Sequence, residues 1–251
     1  MRLDTLVAYL DEYLRIADEI ADAPDALNGL QVSNSGVVSR LAAAVDLCEA
    51  TIRLATEKHA DFLLVHHGMF WGGLRPLVGP AYRRIDGLIK GNIALYAAHL
   101  PLDRHPDVGN NRVLARLLEI KVKSEFGSYH GASAGVWGEY SGTRDELSWA
   151  VTKALGTAPR VLAFGPERVQ RVGIVTGAGG SIIPQAAAAG LDTFVTGEGQ
   201  HWTFFDAEEL GVNVFYAGHY ATETVGVKAL AEHVSKKFDL PWVFLDHPTG
   251  L

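Results

Sequence analysis

The chain is short of the groups that would place it outside a cell or on a polyanion. It holds a single cysteine, Cys48, in 251 residues. That count excludes an intrachain disulfide and a cysteine-built zinc cage, and it fits a reducing compartment. Cys48 follows an apolar run and is expected to be a small buried residue. Lys and Arg total 22 against 29 Asp and Glu, for a net charge of −7. With a pI near 5.8, no overall nucleic-acid surface is expected. No run approaches the roughly 20 apolar residues needed to span a bilayer. The opening MRLDTLVAYLDEYLRI carries acids early and lacks the apolar stretch of a signal peptide. Its Leu3, Leu6, Val7, Leu10, Tyr13 and Leu14 recur at helical spacing instead. The expectation is a cytoplasmic protein without membrane attachment. Hydrophobic residues make up 48% and charged residues 20%, which suits one large or two small globular domains.

What is present begins with FLLVHHGMFW at residues 62–71. A buried strand stops on two adjacent histidines, His66 and His67. Neighbours on a strand point to opposite faces, so both rings can address one point only if the chain turns there. Gly68 permits a turn.

An internal repeat gives that pair a context. RLAAAVDLCEATIRLATEKHADFLLVHHGMFW (40–71) aligns without a gap on RVGIVTGAGGSIIPQAAAAGLDTFVTGEGQHW (171–202). Arg40 matches Arg171, Asp61 matches Asp192, Gly68 matches Gly199 and Trp71 matches Trp202. Each copy reads as strand, helix and buried strand, a βαβ pattern that favours parallel pairing. GNIALYAAHLPLD (91–103) likewise matches GVNVFYAGHYATE (211–223). His99 then pairs with His219, Asp103 with Glu223, and Tyr96 with Tyr216, the two tyrosines being read as core. Each half is expected to form a sheet with helices packed on it.

His66, His67, His99, Asp103, Glu198, His201, His219 and Glu223 all fall just beyond predicted strand ends, the edge where open α/β sheets bind ligands. Imidazoles with carboxylates suit one or two divalent ions. His219 and Glu223 stand one helical turn apart. His201, beside Trp202, reads as packing. VTGAGGS (175–181) opens a helix after a strand; its N–H groups could hold phosphate, but a tight turn is the simpler reading.

VHHGMFW, YAAHLPLDRHPDVGNN, VTGEGQHW and YAGHYATETVGVKAL resemble the GTP cyclohydrolase I type 2 family, also called Nif-three-like. The resemblance runs from NGLQV (28–32) to the last helix, and the chain is similar to the short bacterial form. It implies an α/β (α+β) fold of two interlocked, pseudo-repeated lobes, each a mixed sheet flanked by helices. Residues 1–126 plus 211–251 would form the metal-site lobe and 127–210 the second. It also implies a ring-shaped homohexamer, a trimer of dimers, with two divalent metal ions per subunit (zinc, manganese, iron, cobalt or nickel). The implied ligands are His66, His67, Asp103, His219 and Glu223, with Glu223 bridging and His99 close by. The implied activity is hydrolysis of a nucleotide or related small molecule by metal-activated water. Glu198, which stands in the repeat where His67 stands, is the candidate general base or proton shuttle; anchoring a loop is its other reading. A metal-binding or metal-delivery protein, or a ring-shaped scaffold with structural metal, is the alternative to an enzyme.

Overall fold

The computed structural model describes residues 1–18, 22, 26–129 and 131–251. The chain forms two compact units, Met1–Val108 with Gly226–His247, and Gly109–Val225 with Pro248–Leu251. In chain order the first unit contributes α1 (Leu3–Tyr13), β1 (Gly29–Val32), β2 (Leu41–Asp46), α2 (Glu49–Glu57), β3 (Phe62–His67), α3 (Pro80–Lys90), β4 (Ala94–Ala97) and the single turn α4 (Leu100–Asp103). The second contributes α5 (Asn110–Leu117), β5 (Lys121–Tyr129), β6 (Ala132–Thr143), α6 (Arg144–Leu155), β7 (Arg160–Ala163), β8 (Arg168–Val175), α7 (Ile183–Ala188), β9 (Thr193–Thr196), α8 (Thr203–Leu210) and β10 (Asn213–Tyr216). The chain then runs through α9 (His219–Phe238) and β11 (Trp242–Phe244). Residues 248–251, expected with the first lobe, cluster with the second unit, and so do 109–126 and 211–225. Strand pairing is the reason: β5 hydrogen-bonds to β6, and β10 to β9 and β7.

Each unit is built on one mixed sheet. The first has the order β1-β4-β3-β2-β11, and the second β5-β6-β8-β9-β10-β7. In the first unit β2, β3 and β4 are parallel and buried on both faces, as their unbroken apolar runs require. One face packs Ala42, Leu63, Val65 and Leu95 against Ile52 and Ala55 of α2 and Leu88 of α3. On the other, the Tyr96 hydroxyl donates to Asp11 of α1 at 2.7 Å. The helical spacing of the N-terminus is realised in α1, which buries Leu3, Leu6 and Leu10. The second sheet is covered on one face by Leu114, Leu118, Leu147 and Val151, and on the other by Ile183, Ala186 and Ala207. Among the described residues no helix is long and apolar enough to cross a membrane.

The repeat is present in the pairing itself. Leu41 lies opposite Phe62 in β2–β3, and the matching Val172 lies opposite Thr193 in β8–β9. Asp61 accepts from the backbone N–H of Ser39 and Arg40; Asp192 accepts from Gln170 and Arg171, the corresponding pair. The third strand departs from the ungapped match by one residue. Phe62 pairs with Ala94, whereas Thr193 pairs with Asn213 rather than Val214. By this register His99 corresponds to Gly218, and His219 to Leu100. Tyr96 and Tyr216 are therefore not equivalent, since a one-residue slip turns side chains to opposite faces. The Tyr216 hydroxyl accordingly meets Thr203 at the start of α8, at 2.6 Å. Matching letters aligned the two histidines; hydrogen-bond pairing sets the register.

Between α1 and α9 lies a stack of rings. Tyr13 packs on His105 and on His233, each with centroids 4.3 Å apart, and Lys237 sits 4.6 Å over the Tyr9 ring. Burial first of all lowers the pKa of His105, and burial then the Lys237 charge lower that of His233. Both imidazoles are thus easier to protonate in the unfolded chain, so their contribution to stability is complete above about pH 6.5 and is lost as pH falls through the lowered folded values. We expect a lower unfolding temperature at pH 5 than at pH 8, with a smaller difference in His233→Phe, measured by circular dichroism melts.

Candidate functional site

In the first unit the end of β3 gathers imidazoles. His66 is wholly buried. Its ring centroid lies 4.7 Å from that of His67 and 5.0 Å from that of His99, and the His67 and His99 centroids are 5.6 Å apart. Each ring is fixed from behind. His66 Nδ1 lies 2.8 Å from the Ala98 carbonyl, His67 Nδ1 2.8 Å from Asp46 Oδ1, and His99 Nδ1 2.6 Å from Asp22 Oδ1. A carbonyl oxygen only accepts, so neutral His66 carries its proton on Nδ1 and presents a lone pair at Nε2. The other two favour the same tautomer. The three histidines place ligand atoms within 4.8 Å of one another. Asp103, at the end of α4, puts Oδ2 3.6 Å from His66 Nε2.

Gly68 has its place here for space rather than for torsion. Its φ is not positive among the described residues, but a Cβ there would lie 2.4 Å from Gln31 Nε2 and 2.6 Å from the Ala97 methyl. The chain leaves β3 hard against β1 and β4, and Gln31 Oε1 accepts from the Met69 N–H at 2.7 Å. Trp71 closes the group: its indole donates to the Gly68 carbonyl at 2.7 Å and its ring meets His99 edge-on at 4.8 Å.

The second unit carries its own imidazole and carboxylates at the start of α9. His219 Nδ1 lies 2.7 Å from Glu198 Oε1, and His219 Nε2 lies 3.2 Å from Glu223 Oε2, one helical turn on. Glu223 is buried. Its hydrogen bond first, and then its charge together with Glu198, holds the His219 pKa up to about 9 against the lowering effect of burial. In the metal-free protein this imidazole is charged at neutral pH, and ligation by Nε2 would displace its proton.

Gly177 fits against this pair. Its Cβ would stand 2.1 Å from Glu223 Oε1 and 3.3 Å from His219 Nε2, at a φ of +68°. We expect Gly177→Ala to push the Glu223 carboxylate aside. That should raise the dissociation constant for divalent metal about 10–100-fold, the usual cost of disturbing a ligand's surroundings, as read by isothermal titration calorimetry. Unchanged affinity would separate Gly177 from the site. The rest of its loop does not offer its amides to phosphate: the Gly177 N–H goes to Thr222, Gly179 to Thr196 and Gly180 to the Glu198 carbonyl. The tight-turn reading of residues 175–181 holds.

Of the sequence-predicted residues, the first unit supplies His66, His67, His99 and Asp103, and the second supplies Glu198, His219 and Glu223. His201, also in the second unit, is exposed and packs edge-on against Phe205. Cys48 is half-buried rather than buried and stands at the N-terminal cap of α2. Sequence reasoning missed Asp46, Asp22 and Gly177. Asp46 was within reach, since it ends β2 directly opposite His67. Asp22 lies far from His99 in the chain and gives no local signal. The donor set of imidazole and carboxylate, with each histidine held at Nδ1, could bind a metal ion and suits divalent first-row metals.

The family profile described as Duf34/NIF3 (NGG1p interacting factor 3) matches residues 1–249. A GTP cyclohydrolase 1 type 2 homolog of Deinococcus radiodurans is 45% identical over 99% of this chain and 94% of its own length. A homolog of the same description from Archaeoglobus fulgidus is 42% identical over the whole of both chains. Among solved structures, TTHA1606 from Thermus thermophilus is 47% identical, covers both chains fully and superposes with a TM-score of 0.91.

Proposed function

Because the chain belongs to the Duf34/NIF3 family, we propose that it is a dinuclear metal-dependent hydrolase of the GTP cyclohydrolase 1 type 2 kind, acting on a nucleotide or related small molecule. His66, His67, Asp103, His219 and Glu223 would hold two divalent ions, with Glu223 shared. That the two groups of ligands serve one centre is carried by the family resemblance, as is assembly into a homohexamer. The ions would supply a water of lowered pKa and polarise a substrate oxygen.

The chain's own residues would do the rest. Asp46, Asp22 and the Ala98 carbonyl hold protons on the Nδ1 atoms of His67, His99 and His66, aiming each Nε2. Glu198 holds the proton at His219 Nδ1 and, with its side chain half-exposed, can exchange protons with solvent. Trp71 screens one side of the imidazole group from water. The observation that carries the reading is that all four imidazoles are anchored at Nδ1, an arrangement that metal-binding histidines share and that a chance surface cluster does not need.

The test is metal analysis of the purified protein followed by a nucleotide turnover screen with zinc, manganese, iron, cobalt and nickel in turn. Two ions per chain with turnover supports the reading. Bound metal without turnover on any nucleotide would leave a metal-binding or metal-delivery protein, and absence of bound metal would overturn both.

A further inference from the structure

The second unit carries a groove of about 1230 Å³ that the proposed hydrolysis leaves unused, since none of the proposed metal ligands lines it. Its walls come from the end of α5, the start of β5, and parts of β6, α6 and β8. Lys121, Lys153 and Arg171 line it and enter no ion pair among the described residues. The lining acids Glu139 and Glu146 are already engaged. Glu139 pairs with Lys123 at 2.9 Å, and Glu146 closes the capping box of α6, accepting from the Thr143 N–H at 2.6 Å. That leaves Glu119 to balance three cations, a local positive excess on a chain of net charge −7. Register sets the spacing. Lys121 in β5 and Arg171 in β8 stand directly opposite Glu139, one on each side of β6, so the three side chains share one face of the sheet. Two strand spacings put the Lys121 and Arg171 Cα atoms about 10 Å apart. Trp137, two residues along β6 from Glu139, points the same way, and the Arg171 guanidinium lies 4.6 Å over its ring. Arg171 Nη2 donates to the Ala189 carbonyl at 3.1 Å, which holds that guanidinium in place. On α6, Lys153 lies 5.1 Å over the ring of Trp149, one turn away. Trp149 is 65% exposed, so its indole keeps surface available for stacking.

We propose that this groove binds a nucleoside di- or triphosphate, with the base stacked on Trp149 and the phosphate chain reaching Lys121 and Arg171. The lining offers partners for two chemistries, a flat ring and a multiply charged anion. Inorganic phosphate would leave the indole without a partner, and an uncharged ring would leave the cations without one. A nucleotide joins both in one molecule. Arginine held by a second bond presents its remaining N–H groups in a fixed fork that suits phosphate oxygens. Two cations about 10 Å apart across the strands suit a phosphate chain better than a single phosphate. The groove also exceeds the volume that a small ligand needs. The site is additional to the proposed metal centre and does not rest on it.

Calorimetric titration of the whole chain with GTP and with ATP tests the site, with EDTA present so that no bound metal can hold the phosphates. Saturable binding is expected. Trp149→Ala should raise Kd about 10–100-fold, the range that base–aromatic stacking covers. Lys121→Glu should raise it too, and by more at low salt than at high salt, because an exposed charge is screened. Inorganic triphosphate should bind the unaltered protein more weakly than GTP does, and Trp149→Ala as well as it binds the unaltered protein. Trp149 and Lys121 are both exposed, and circular dichroism checks that each variant is folded. No saturable binding of either nucleotide to the unaltered protein overturns the proposal. So does unchanged affinity in either folded variant, or inorganic triphosphate binding as tightly as GTP, which would leave only a patch of positive charge. A single-stranded oligonucleotide that binds far more tightly than GTP, and loses affinity in the same variants, would also overturn it by marking a nucleic-acid surface. Glu223→Gln separates this site from the metal reading. It should bind GTP as the unaltered protein does, whatever its metal content, and loss of GTP binding there would place the nucleotide at the metal ligands and overturn the proposal.

Discussion

Glu223→Gln is expected to lose at least one metal ion per subunit and all hydrolytic turnover, while the fold is retained. Glu223 is buried in the first turns of α9, against His219 and the Gly177 backbone. The amide keeps the volume but loses the charge and one good donor oxygen. In the proposed centre this carboxylate is the group shared by both ions. Two divalent cations held close repel strongly, and a shared anion offsets that repulsion. No other proposed ligand has that duty, so removing one of the single-ion histidines should do less harm. Elemental analysis and nucleotide hydrolysis on the purified variant provide the check, with circular dichroism to confirm the fold. Two ions retained at full occupancy would sink the bridging role.

Glu198→Gln is expected to behave differently. The amide that replaces the carboxylate can still accept from His219 Nδ1 through its oxygen, so the ring keeps its aim and both ions stay at saturating metal. What is lost is a half-exposed base, 2.7 Å from the imidazole, that can pass a proton. Turnover should fall about 100–10,000-fold if Glu198 moves protons in the reaction. Its pH–rate profile should lose the limb that Glu198 contributes, a change that a merely orienting role would not produce. Turnover and profile both unchanged would return Glu198 to holding its loop and ring.

Periodicity and strand-end chemistry made much of this molecule legible before any coordinates. The spacing of Leu3, Leu6 and Leu10 predicts α1 because a helix buries one face. The uninterrupted apolar runs at 41–45 and 62–65 predict strands covered on both sides, and they are. The βαβ blocks match in strand register, down to Asp61 and Asp192 accepting from the same backbone amides, because that function needs only a short carboxylate at a fixed distance along the chain. The one-residue error in the second block has an equally physical source. Register is set by hydrogen bonding between strands remote in sequence, and identical letters at 99 and 219 carry no information about it.

For the candidate site, residue type and position at strand ends marked His66, His67, His99, Asp103, Glu198, His201, His219 and Glu223 as the donors that divalent ions take, and the choice of five ligands among them comes from the family resemblance. Only the tertiary structure decided how each imidazole is held. Asp22 reaches His99 across 77 positions and Asp46 reaches His67 across 21, and the chain that brings them there is folded by the burial of Leu and Val side chains that have no part in the chemistry. The same holds for Gly68 and Gly177. Sequence shows two glycines among 27; the folded chain shows that a single methyl group at either would collide with a neighbouring side chain, because close packing leaves no room for one.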